Sequence, residues 1–254
     1  MTDYKYIKYE VEERVATIML NRPEVLNACN PDTHREIQAA LAEAEADDKV
    51  GVILFCGSGR AFCSGSDMRV NSNLRSEEMR RYIELDFETK SRAAACRKPV
   101  VAAMQGHVVG GGFELALACD IRIVADNVQF CMIEVALGTL GGAGGLQRLS
   151  QVVGLGIAKE WIMTGRRIGS EEAFRTNLAN YVYPLDQLMP EAIAFCRKLA
   201  QNAPLALTLA KVAMDPLPNM AQGIFGVYYQ LACQACHDDP WYVQKTNQYK
   251  DKSK

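Results

Sequence analysis

Two glutamates draw attention because each sits in a stretch that is otherwise apolar and each adjoins a cluster of glycines. Glu114 follows Gly106-His107-Val108-Val109-Gly110-Gly111-Gly112-Phe113, and Glu134 lies within 130–137, just ahead of Gly138-Thr139-Leu140-Gly141-Gly142-Ala143-Gly144-Gly145. A carboxylate in an apolar run is costly to bury unless it is paired or hydrogen-bonded. A single one reads equally well as a satisfied structural group or a surface position. Two of them, each beside a glycine turn, suit a pair that shares one water, with one proton leaving as another arrives. Gly59 to Asp67 forms a third glycine turn. Clustered glycines let backbone approach a ligand closely. At a helix N-terminus they leave N–H donors free, for a phosphate or for the oxyanion of a reacting carbonyl. Tight packing of helix on strand is the plainer use of any one such cluster. No G-x-x-x-x-G-K-[ST] is present, no G-x-G-x-x-G is followed by an acid at the right distance, and no G-x-S-x-G occurs.

The elements that would carry these turns follow from patterning. Residues 4–20 alternate polar and apolar about 11–14 and predict a β-hairpin. Asn30-Pro31 predicts a helix start, with Asn as N-cap and Pro at the first helical position, and Ile37, Leu41 and Ala44 follow at helical spacing. Short apolar runs at 50–55, 99–104 and 121–125 predict buried strands. Residues 76–95 are charge-rich and helix-prone, 114–119 reads as a short helix, and 144–164 is helical with a break near Gly154. Helices are also expected at 188–201, 205–212 and 222–236. Strands alternating with helices, then mostly helix, is an α/β arrangement with a helical C-terminal part.

Composition narrows the class. Hydrophobic residues make up 49% and charged residues 23% of 254, which excludes disorder for the chain as a whole. Lys+Arg of 28 against Asp+Glu of 30 argues against a general polyanion binder. No apolar run is long enough to span a bilayer, and the first residues lack the apolar core of a secretory signal. Nine cysteines at irregular spacing, mostly in apolar stretches, read as free thiols in a reducing compartment, with the cytoplasm as the expected location. Cys233-Gln234-Ala235-Cys236-His237 matches a haem attachment pattern but lacks an export signal and a second ligand. One C-x-x-C with one His falls short of a zinc site. Phe225, Tyr228 and Tyr229 read as packing. His34, on a charged helix face, is expected to be exposed, and His107 to hydrogen-bond within its turn.

Taken together and in this order, NRPEVLNACN (21–30), GRAFCSGSDMR (59–69), KPVVAAMQGHVVGGGFELALACDIRI (98–123), FCMIEVALGTLGGAGGLQRL (130–149) and MTGRRIGSEEA (163–173) resemble the crotonase superfamily, the enoyl-CoA hydratase/isomerase family. The resemblance implies an α/β fold, a spiral of ββα turns over 1–195 with a helical C-terminal oligomerisation region over 196–254 that builds a homotrimer or homohexamer. It implies an acyl-CoA substrate, with no metal and no cofactor beyond the CoA carried by the substrate; the charge balance and the short apolar runs add the expectation of no nucleic-acid and no membrane partner. By the same resemblance the oxyanion hole is the N–H of Ser66 and of Gly111, Glu114 and Glu134 are the acid/base pair, and Arg60 and Arg69 match basic positions that contact CoA phosphate. Gly65, Asp67, Gly110 and Gly142 complete the expected substrate-binding set, with Asp67 ordering its own loop. Both acids together imply a hydratase, adding water to or removing it from an α,β-unsaturated thioester. The alternatives are an isomerase, a decarboxylase, an acyl-carrier-linked dehydratase, or a non-catalytic CoA-ester or RNA binder. The segment 68–87, which shapes the acyl pocket in the family, is unusually polar here (Asn71, Glu77, Glu78, Arg80, Arg81).

Overall fold

The computed structural model describes residues 4–71, 74, 76–214 and, singly, 235 and 240. The helix expected at 222–236, its aromatic residues, the C-x-x-C-H segment and most of 196–254 lie outside the described residues. In chain order the elements are β1 (Ile7–Glu12), β2 (Val15–Leu20), α1 (Pro31–Ala46), β3 (Val52–Gly57), β4 (Ala61–Cys63), α2 (Met68–Asn71), α3 (Ser76–Ala95), β5 (Val100–Met104), β6 (His107–Val109), α4 (Gly111–Ala118), β7 (Ile121–Ala125), β8 (Gln129–Cys131), α5 (Gly145–Val153), α6 (Leu155–Thr164), β9 (Ile168–Gly169), α7 (Ser170–Arg175), β10 (Tyr181–Tyr183), α8 (Leu188–Leu199) and α9 (Pro204–Met214). No helix among the described residues is long and apolar enough to cross a membrane.

Six strands form one sheet in the order β1-β2-β3-β5-β7-β10, and four form a second in the order β4-β6-β8-β9. Only β1 in the first sheet and β9 in the second run antiparallel to their neighbours. Each long strand of the first sheet is followed by a short strand of the second and then by helix: β3 by β4, β5 by β6, β7 by β8. This repeat is the expected ββα spiral. Along β3 the side chains alternate between two cores. Ile53 and Phe55 face the interior shared with α1, whereas Val52, Leu54 and Cys56 pack with Leu188, Ala192 and Cys196 of α8. Burial on both faces explains why β3 and β5 read as unbroken apolar runs.

Local chemistry sets several boundaries. Glu13 and Arg14, with φ of 44° and 67°, make a two-residue turn, so the hairpin ladder runs to Glu12↔Val15 rather than stopping at residue 11. Asn30 caps α1, its side chain accepting from the Thr33 N–H at 2.8 Å, with Pro31 in the first turn. The second sheet differs from the sequence expectation. β4 and β6 lie inside what reads as glycine turns, because strands of three residues are too short to show a period.

The expectation for His34 is overturned. It is 1% exposed, on the same face of α1 as Ile37, Leu41 and Ala44. Its Nε2 stands 3.2 Å from Asp86 Oδ1 and 3.4 Å from the Tyr82 hydroxyl, both on α3. Lys90 already neutralises Asp86, so Asp86 gives the imidazole an acceptor rather than an uncompensated counter-charge. Burial first, then the charges of Lys90 and Arg35, hold the His34 pKa well below its usual value. The unfolded chain therefore takes up a proton near pH 6.5 that the folded chain refuses, and stability falls as pH drops below that point. Relative to wild type, His34→Gln is expected to flatten the fall in denaturant-derived stability between pH 6.5 and 5.5 by up to about 1.4 kcal/mol. An unchanged slope would place the imidazole in a different protonation state.

Candidate active site

A cavity of about 360 Å³ opens where the second sheet meets α2, α3 and α4. Ser64, Gly65 and Ser66 enter it from the end of β4, Gly110, Gly111 and Glu114 from the end of β6 and the start of α4, and Glu134, Gly141 and Gly142 from the segment after β8. The three glycine turns singled out in the sequence thus converge on one space.

Two residues lining that space carry backbone N–H groups without an acceptor among the described residues. Ser66 forms an isolated parallel bridge with Cys29, in which the Cys29 N–H donates to Gly65 O and the Asp67 N–H donates to Cys29 O, each at 2.8 Å. That ladder uses the residues on either side of Ser66 and leaves the Ser66 N–H free among the described residues. Gly111 is the first residue of α4, so its N–H has no acceptor four residues back. The two backbones are in contact. A Cβ on Gly65 would stand 3.2 Å from the Gly111 nitrogen and 2.8 Å from Val109 O, at a φ of +93°. Only glycine allows that approach. Gly110, at φ 52° and ψ −123°, turns the chain from β6 into α4, and a Cβ there would reach within 2.8 Å of Glu134 Oε1.

The carboxylates sit in unlike environments. Glu114 is 2% exposed, and its Oε1 accepts from the Ala143 N–H at 2.9 Å and the Gly145 N–H at 3.0 Å. These donors close the 138–145 loop over α4. Glu134 starts a short 3₁₀ turn, Glu134–Leu137, and is half-buried. Burial chiefly, and then the charge of Glu114, raise its pKa above the ordinary carboxyl value. One acid is thus fixed by two backbone donors and the other is pushed toward its protonated form, the arrangement that separates base from acid.

The remaining expected residues fall in two groups. Asp67 is 3% exposed and binds Arg22 at 2.9 Å and Arg69 at 3.1 Å. The hydrogen bonds from Arg69, followed by those from Arg22, hold its carboxyl below the usual range. It ties the Ser66 loop to the segment before α1. Gly142 lines the cavity, whereas Arg60 is exposed on the β3–β4 loop and Arg69 is exposed beside Asp67; neither arginine lines the cavity. His107 lies on β6, paired with Ala61 and Gln129, rather than in a turn.

The segment 68–87, expected to shape the acyl pocket, does line the cavity, but sequence reasoning did not show which of its α3 residues face inward. Asn71, Met79, Tyr82, Ile83 and Asp86 line the cavity, and the four from α3 recur at helical spacing inside a stretch whose many charges mask it. Ala143 and Gly145, the donors to Glu114, act through backbone and leave no side-chain signal beyond the glycines around them.

The chain matches the family model for enoyl-CoA hydratase/isomerase over residues 10–223. It is 39% identical over 207 residues to a short-chain-enoyl-CoA hydratase of Clostridium acetobutylicum, which covers 81% of this chain and 79% of the relative. It is also 39% identical over 213 residues to a crotonyl-CoA hydratase of Syntrophomonas wolfei, covering 84% and 82% respectively. A crystal structure of an enoyl-CoA hydratase from Bacillus anthracis superposes with a TM-score of 0.93 at 31% identity, covering 98% of this chain and 97% of that one. The chain belongs to the enoyl-CoA hydratase/isomerase, or crotonase, family.

Proposed function

We propose that the chain is an enoyl-CoA hydratase, catalysing syn addition of water to an α,β-unsaturated acyl-CoA or the reverse. The observation that carries this reading is the convergence of two unpaired N–H groups and two unlike carboxyls on one cavity. The thioester oxygen accepts from the Ser66 and Gly111 N–H groups, which stabilise the negative charge that builds there as the enolate forms. The Glu114 carboxylate, fixed by Ala143 and Gly145, takes a proton from a water poised to attack Cβ. Glu134 positions that water and delivers a proton to Cα. Gly65, Gly110 and Gly142 supply close backbone approach, and Asp67 holds the Ser66 loop. Arg60 and Arg69, exposed to solvent, serve the CoA phosphates. The names of the relatives support the same reading at moderate identity.

Purified protein is expected to bleach the conjugated-thioester absorbance of enoyl-CoAs and to give a product heavier by one water. Failure with every acyl chain would remove the hydratase reading. Glu114→Gln and Glu134→Gln should each lower kcat by about 10²–10⁴-fold with smaller changes in KM. Gly65→Ala, by displacing the Ser66 loop from Gly111, should cost roughly 10²–10³-fold in kcat. Wild-type activity there would mean that the Ser66 amide does not serve the oxyanion. Because the pKa of Glu134 is raised, its acid form persists to higher pH than in an ordinary carboxyl and is lost as pH rises. An alkaline fall in kcat/KM that disappears in Glu134→Gln is the expected profile, and a limb that survives the substitution assigns it elsewhere.

A further inference from the structure

The cavity wall built by α2 and α3 is more polar than an alkyl chain needs. Met79, Tyr82, Ile83 and Asp86 lie along one face of α3 and line the cavity, with Lys90 one turn further on and 2% exposed. The Tyr82 hydroxyl donates to Cys29 O at 3.2 Å, and the Ser66 and Asn71 side chains also reach that hydroxyl. Asn71 Oδ1 is buried in the cavity wall with no partner among the described residues, on a residue 7% exposed. Asp86 repeats the pattern. Lys90 and His34 both bind its Oδ1, whereas Oδ2 is turned toward Gly111, 3.7 Å from where a Cβ would stand. The Lys90 Nζ stands at the same place, 3.5 Å from that Cβ position, so the wall presents the Asn71 acceptor alone and the Asp86 acceptor beside its paired ammonium. Lys90 cancels the charge of Asp86, so the wall favours a neutral donor over an ammonium group.

We propose that the acyl chain of the substrate carries a hydroxyl group, which donates to Asn71 Oδ1 with Asp86 Oδ2 as the second acceptor on the same wall, while Met68, Met79 and Ile83 enclose its methylenes. The proposal rests on the hydratase reading for the thioester end, but its test needs no turnover. Titration calorimetry with the full-length protein compares saturated acyl-CoAs of matched length, plain or hydroxylated at single positions from C4 to the chain end. At least one hydroxylated chain is expected to bind about tenfold or more tighter than its plain counterpart, because it satisfies an acceptor that the plain chain leaves buried and unmade. Asn71→Leu should abolish or reverse that preference. If no hydroxylated chain outbinds the plain one, the proposal fails, whatever Asn71→Leu does. Hydration of plain enoyl-CoAs without a hydroxyl preference sinks this proposal alone. A hydroxyl preference without hydration upholds it while removing the hydratase reading. Binding of no CoA thioester overturns both.

Discussion

The site depends on two backbone N–H groups that the fold leaves unpaired at the same point. Buried polar groups of the main chain are almost always satisfied, so two free donors side by side need a structural cause. Here the cause is strand pairing. The bridge between Cys29 and Ser66 uses the groups of Gly65 and Asp67, and the end of β6 hands Gly111 to a helix start. The parallel pairing of β4 with β6 then sets the two backbones in van der Waals contact. Neither donor depends on a side chain, so neither has a rotamer to order when a carbonyl arrives. The glycines at 65 and 110 are what sequence must supply for this geometry, and the second sheet is what fold must supply.

The carboxylates follow from the same framework. Glu114 lies on α4, one turn beyond Gly111, so the helix that presents the free N–H also fixes how far away this carboxyl can be. Holding a carboxyl at 2% exposure requires partners, and the 138–145 loop supplies them from Ala143 and Gly145. Gly145 is required there by space as well, since a Cβ would stand 2.5 Å from Glu114 Cγ. Glu134 receives no such clamp. Its environment is set by burial and by the neighbouring charge, and the difference between the two acids arises from backbone rather than from residue type.

Much of this was legible in the residues and some was not, for physical reasons. The α1 cap, the strand at 121–125 and the helix at 76–95 were marked by local signals: an Asn-Pro start, an apolar run, a long helix-prone segment. The glycine turns and the two acids announced themselves by being out of place. The second sheet was hidden because its strands have two or three residues, fewer than one needs to see alternation. His34 was hidden by its neighbours. Asp32, Arg35 and Glu36 make the helix look solvated, yet 34, 37, 41 and 44 share one stripe. Along α3 the same masking conceals Tyr82, Asp86 and Lys90, which sit one turn apart among exposed Arg80, Arg81 and Glu84. In a helix this charged, the inward polar residues cannot be told from the outward ones by composition.

Stability alone gives no reason for that inward set. A buried ion pair costs several kcal/mol of desolvation per charge, about as much as its attraction returns, and well-packed apolar residues of similar volume are often as stable or more so. Lys90, Asp86 and His34 are all buried, His34 Nδ1 has no partner among the described residues, and the imidazole is driven neutral by its surroundings. A helix packed on α1 for stability alone would place leucine or methionine at these positions. What the polar set achieves is to hold Asp86 with both its neighbours on one oxygen and the other near the Gly111 backbone. The cost is localised where the cavity wall would otherwise be greasy, within reach of the Gly111 backbone, and the return must come from something that enters the cavity.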